Sequence, residues 1–395
     1  MFLKVSQRSS EKSLWSRWTT VCVEPTFRTA SQKLCVGIPL VILVFLFTGC
    51  RPVERLPLAA TRSSIGARWQ EVVMPPNSRL LHLSPDLHWV IYGVDNTSGG
   101  EQGWRCSLAK IEDDGRLSSP TLITESTKET IVAAHGFSPD SSSFLIETIS
   151  NKGQLSETGI WLNQVANVRD QLLVYTGTTP LHGVSWAPDS RHFTVVTTDM
   201  GADLVATDGT VRKHVVPPAT FAKVETSLSW SPVSDQIVYP DMHKSPVTVW
   251  MADLKSGERH SLFSDPWPVK PIWSPDGQTI AILGFEPGEN PEQRLTMLNR
   301  DGQVLATVDL PSWPDYGEGM WSPDGKRFAL VLKENEETTE TYVAVVSMPA
   351  GRYSRFPIEK GGSGHLRGWD PDSQSVIVET DRDNTPVLVR VPVIR

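Results

Sequence analysis

The 395 residues carry a formal charge of −8 and are 39% hydrophobic and 21% charged, a globular balance with enough apolar matter for a sizeable core. Six basic and two acidic residues precede position 50, so the remainder is more acidic than the whole chain. That excludes the basic footprint a nucleic-acid binder needs.

Residues 1–33 are polar and basic without a clear period. An apolar run follows from Leu34 to Thr48 and ends at Gly49-Cys50. It is short for a membrane span, which takes roughly 20 residues. It suits the apolar region of an export signal, with Arg28 and Lys33 as its positive flank. The end of the run, Leu46-Phe47-Thr48-Gly49-Cys50, resembles the lipobox of bacterial lipoproteins. That resemblance implies cleavage before Cys50, acylation of Cys50, and membrane lipid as a partner. The leader is long for such a signal, which fits a translation start further in, near Val21 or Val23. The alternatives are an uncleaved anchor and a chance apolar stretch. Lipidation and an anchor alike place the rest of the chain on the extracytoplasmic or periplasmic side of a bacterial membrane. The predicted organisation is a signal peptide over 1–49, a lipidated Cys50 with a tether over 50–68, and one domain over 69–395.

Within that domain a short motif recurs seven times. It starts at Ser84, Ser138, Ala187, Ser231, Ser274, Ser322 and Asp370, at spacings of 43 to 54 residues. The fifth and sixth copies are the cleanest: Trp273-Ser274-Pro275-Asp276-Gly277 and Trp321-Ser322-Pro323-Asp324-Gly325. Pro presets the second position of a type I turn, and the flanking Ser and Asp can bond the turn backbone. An apolar run follows each copy, such as Thr279–Leu283, and reads as a buried strand. Four strands fall in each repeat, which is the layout of a β-propeller blade. The last repeat holds only three strands before Arg395, while an extra strand at Trp69–Met74 precedes the first. The predicted fold is therefore an all-β, seven-bladed propeller closed by an N-terminal strand, a closure that removes open sheet edges. Trp186, Trp230, Trp273, Trp321 and Trp369 precede five of the motifs, with Leu83 and Phe137 at the other two. Their regular recurrence assigns them to packing between blades. The repeat resembles the WD-like propeller repeat of the TolB family over about residues 69–395. The separate N-terminal domain of that family has no counterpart here.

The search for chemistry yields no catalytic set. Gly361-Gly362-Ser363-Gly364-His365 fails the nucleophile-elbow pattern and reads as a loop. Glu112-Asp113-Asp114-Gly115 and Asp381-Arg382-Asp383-Asn384 lack the ligand series of calcium loops and read as hairpin turns. No cofactor and no resident metal are expected. Cys106 is the one cysteine of the repeats, which leaves it no disulfide partner there. Counting back from the motifs, Arg79, His182 and His365 lie five places earlier and His135 three. In a closed ring these positions form an arc over blades 1, 2, 3 and 7 at one channel mouth. The pattern resembles oligogalacturonate lyases, which are propellers whose channel histidines hold a metal. The resemblance implies a polysaccharide lyase or hydrolase as the alternative to a binding module. Trp267, Trp313, Tyr316 and Glu318 lie in segments leading into innermost strands, where exposed aromatics beside acids suit a rim gripping a protein or glycan partner.

Overall fold

The Ser-Pro-Asp turns set the architecture. In the computed structural model of the protein, Leu87 N–H donates to Ser84 O at 2.9 Å, closing the type I turn, and the same bond closes the copies at Ser138, Ala187, Ser274, Ser322 and Asp370. The side chains reinforce it. Ser84 Oγ donates to Asp86 Oδ1 and accepts from Trp89 N–H. The copies at Ser138, Ser274 and Ser322 do the same. The fourth motif residue has positive φ in six copies: Leu87, Ser141, Ser190, Gly277, Gly325 and Ser373. This explains Gly in the two cleanest copies, since only Gly adopts that region freely.

The structure describes residues 69–394 apart from 96–102, 128, 151–156, 178–180, 182, 198–199, 211, 219, 221–227, 244, 267, 286–292, 311–313, 334–340, 349–351, 359–363 and 384. The lipidation position Cys50, the signal and the tether lie outside the described residues, as do His182, Trp267 and Trp313. All described residues belong to one compact unit, Ala60–Arg395.

A short strand β1 (Glu71–Val73) comes first. Blade 1 holds β2 (Ser78–Leu83), β3 (Trp89–Asp95), β4 (Trp104–Lys110) and β5 (Thr121–Glu125). Blade 2 holds β6 (Thr130–Phe137), β7 (Ser143–Ser150), β8 (Glu157–Gln164) and β9 (Asn167–Gly177). Blade 3 holds β10 (Gly183–Trp186), β11 (His192–Val196), β12 (Ala202–Ala206) and β13 (Arg212–Val216). Blade 4 holds β14 (Ser229–Trp230), β15 (Gln236–Asp241), β16 (Val247–Asp253) and β17 (Arg259–Asp265). Blade 5 holds β18 (Pro268–Trp273), β19 (Thr279–Phe285), β20 (Gln293–Asn299) and β21 (Val304–Leu310). Blade 6 holds β22 (Pro314–Trp321), β23 (Arg327–Lys333), β24 (Thr341–Ser347) and β25 (Arg352–Pro357). Blade 7 holds β26 (His365–Trp369), β27 (Ser375–Arg382) and β28 (Thr385–Pro392), with β1 as its fourth strand. Every sheet is an antiparallel meander, and β1 pairs with β28 at Glu71↔Val389 through Val73↔Val387.

Burial follows from stacking the sheets around an axis. Middle strands such as β23 and β24 are buried on both faces, which is why they read as continuous apolar runs. Outer strands such as β25 are largely exposed. Seven apolar clusters form, one at each blade junction. The seven-bladed, N-terminally closed fold expected from the repeats is the fold observed.

The closure is polar as well as apolar. Trp69 Nε1–H donates to Leu87 O of blade 1 at 3.2 Å, and the Arg390 guanidinium stacks 4.7 Å from the Trp69 ring centroid. Arg390 also pairs with the buried Asp370 of the seventh motif. Arg382 grips Glu71 through two bonds of 2.7 and 2.9 Å.

The motif tryptophans bind neighbouring blades through their N–H groups. Trp186, Trp321 and Trp369 donate to Gly136 O, Ile272 O and Met320 O at 3.2, 3.1 and 3.0 Å. Each acceptor is the residue just before the motif aromatic of the preceding blade. A second rung uses the fourth motif serine. Ser141, Ser190 and Ser373 Oγ accept from the backbone N–H of Asp86, Asp140 and Asp324.

Candidate functional site

The innermost strands β26, β2, β6 and β10 bring a polar arc to the channel wall. Three of these strands carry a register irregularity just before the motif: between Leu80 and His82, between Ala134 and Phe137, and between Leu366 and Gly368. A bulge re-aims the side chains beside it. His135 and Arg367 occupy the irregular positions, three places before their motifs.

His135 Nε2 lies 2.7 Å from Glu147 Oε2, and the other oxygen of Glu147 accepts Leu181 N–H of blade 3 at 3.1 Å. Glu147 is 3% exposed, so its charge relies on these partners. Blade 7 repeats the arrangement. Arg367 Nε donates to Glu379 Oε2 at 2.7 Å, and Glu379 is 8% exposed. The two carboxylates sit at one register, nine places after their motif starts, as His135 and Arg367 sit at one register three places before. No other blade has this pair; blade 1, between them, has Leu81 and Gly93 there.

His82 fills the gap in blade 1. Its Nε2 lies 2.9 Å from Ala134 O, a geometry that places the hydrogen on Nε2. Burial, opposed by that bond and aided by the nearby His135 and Arg367, pushes its pKa down to about 4. His82 is therefore a neutral imidazole near pH 7, with Nδ1 left as an acceptor. Gly136 makes room for the ring: its φ is 85°, and a Cβ there would sit 3.3 Å from Nδ1.

The expected site residues are distributed unevenly over this geometry. His135 belongs to the arc. His365 opens β26, opposite Glu379 in the ladder. Arg79 is exposed near the start of β2, opposite Gly93. Tyr316 and Glu318 lie on β22, in the stretch that slips register between Pro314 and Gly319. No group of three or more metal-ligating side chains forms among the described residues. Sequence reasoning missed His82, Glu147, Arg367 and Glu379. Arg367 shares the register counted for His135, so the signal for it was available. The carboxylates gave no signal until the irregular stretches of β6 and β26 brought the His135 and Arg367 side chains onto them.

The sequence model of a family described as eukaryotic translation initiation factor eIF2A matches residues 140–313, under half of the chain. Among solved structures, an oligogalacturonate lyase in complex with manganese is 11% identical, with a TM-score of 0.56 over 81% of this chain and 92% of that one. The β-propeller domain of Cps50 (Swd1) from Myceliophteria thermophila is 9% identical, with a TM-score of 0.52 over 80% of this chain and 98% of that one. TolB from Acinetobacter baumannii is 13% identical over 77% of this chain and 80% of that one, at a TM-score of 0.43. No curated protein sequence matches the chain. At these identities the lyase and Cps50 likenesses show the propeller fold and nothing finer.

Proposed function

We propose that the chain is an extracytoplasmic binding module, held to a bacterial membrane through acylated Cys50, that grips a protein or glycan partner at the propeller face bearing the blade connections. The supporting observation is how the polar groups are used. The buried carboxylates Glu147 and Glu379 are held by His135 and Arg367, and the motif Ser and Asp side chains are spent inside turns. Such an arrangement gives a rigid, preorganised wall rather than a poised nucleophile and base. Exposed Arg79 and Ile131 stand at the connection-bearing ends of β2 and β6.

Two measurements on the full chain in its native membrane test this. Cys50→Ser should abolish acyl labelling; retained label refutes the anchor. A photo-crosslinking residue at Arg79 should give a defined adduct, whereas one at Lys255, on the opposite turn face, should not. Equal adducts at both positions, or none, refute the binding face. The lyase reading rests on His135, His182 and His365 as a metal site. Manganese that raises the melting temperature in the parent but not in His135→Ala would favour it over the binding module.

A further inference from the structure

The seven junctions are not equally tied at their inner edges. Blades 1 and 2 are joined by His82 to Ala134 and by Asp86 to Ser141. Blades 2 and 3 share Trp186 to Gly136 and Asp140 to Ser190. Blades 4 and 5 share the Trp273 backbone N–H to Ser229 Oγ at 3.0 Å, and Arg300 reaches back to Gln236 at 2.8 Å. Blades 5 and 6 share Trp321 to Ile272, and blades 6 and 7 share Trp369 to Met320 and Asp324 to Ser373. Blades 7 and 1 share the Trp69 bond.

Blades 3 and 4 lack these rungs among the described residues. By register, Trp230 Nε1–H should donate to Ser185 O. That carbonyl instead accepts the Thr194 hydroxyl at 3.3 Å, and the Trp230 N–H is buried without an acceptor. The fourth motif departs from the pattern too. Val233 replaces Asp, and Ser234 lacks the positive φ that aims the serine rung at the preceding blade. Its innermost strand β14 has two residues, Ser229 and Trp230. The apolar cluster of this junction holds Val196, Met200, Ala202, Val216, Ile237, Tyr239 and Ala252 among its buried members. Two bonds do cross elsewhere, Lys213 Nζ to Leu254 O at 2.9 Å and Met242 N–H to Thr220 O at 3.0 Å.

We infer that the ring opens first between blades 3 and 4, across the ring from its terminal closure, with the closure still intact. An unsatisfied buried N–H weakens the closed state, and opening relieves it; Trp273 Nε1 is unsatisfied too, but the Ser229 and Arg300 bonds tie its junction. The lost rungs lower the opening cost further. Lys213 and Met242 restrain the outer and connection-bearing rims, so the inner edge moves most.

The test is thiol trapping in native buffer, on the full chain, with label sites mapped by mass so that leader cysteines do not interfere. Ala202→Cys reports the junction of blades 3 and 4, Ala109→Cys that of blades 7 and 1, and Ala344→Cys that of blades 5 and 6. These alanines are 0%, 1% and 0% exposed. Ala252→Cys, on the facing side of the first junction, replaces Ala202→Cys should that variant fail to fold. Buried Cys106 reports global unfolding. The expected result is maleimide labelling at position 202 or 252 about tenfold faster than at 109 or 344, the effect of a 1.4 kcal/mol difference in opening. Adding Trp230→Phe should slow it. Labelling at 109 as fast as at 202 and 252 would overturn the inference, as would labelling that tracks Cys106.

Discussion

Trp186 Nε1 donates to the carbonyl of Gly136 across fifty residues of sequence, at 3.2 Å. The bond spans a blade junction, and Trp321 and Trp369 repeat it at two others. It turns a residue retained for its bulk into a directional lock.

Removing one lock should therefore cost more than its lost area. Trp186→Phe, Trp321→Phe and Trp369→Phe each leave a carbonyl without its indole donor and should lower stability by about 1–3 kcal/mol. Trp273→Phe should cost less, because the Trp273 N–H is already buried without a partner. Urea unfolding of the four variants, with slopes compared, checks the ranking.

The closure should be the most sensitive part of the ring to truncation. Trp69 is 2% exposed, bonded to Leu87 and stacked under Arg390. Trp69→Ala should destabilise by about 3–5 kcal/mol. Deleting residues 69–75 leaves β28 as an open edge and should cause dimerisation or unfolding. Sedimentation and thermal melting report both outcomes; unchanged values would refute the role of β1.

Gly115 tests the same seam from blade 1. Its φ is 83°, and a Cβ there would sit 2.1 Å from Glu71 O. Gly115→Ala must displace β1 or the turn between β4 and β5, at about 1–3 kcal/mol. Faster hydrogen exchange at Val72 and Met74, with β23 unchanged, is the expected signature.

Acid should weaken the fold in two windows. His82 is held to about 4 in the folded state against an ordinary value of 6.5. The unfolded chain thus binds more protons between those values, so stability is full above pH 6.5 and declines as pH falls toward 4. The contribution is on the order of 3 kcal/mol. His82→Gln keeps a side-chain donor for Ala134 O and should flatten melting temperature across that window. The motif carboxylates Asp140, Asp189 and Asp324 lie below their usual range, held there by hydrogen bonds from their turns. Their contribution is lost only below about pH 4, and His82→Gln leaves it in place.

The ring itself was legible in the chain because its determinants are local. A Ser-Pro-Asp turn forms from four consecutive residues, and the apolar run after it is buried wherever it stacks. Counting such turns therefore counts blades, and the missing last strand pointed to Trp69. The polar arc is different. His135 meets Glu147, and Arg367 meets Glu379, through irregularities in strand register that no local pattern encodes. His82 is neutral because residues from three blades surround it. The inequality of the junctions is likewise tertiary: Trp230 and Trp186 look alike in sequence. Yet the Trp186 indole reaches Gly136 O, while the Trp230 indole is buried with no acceptor, a difference set by how the blades stack.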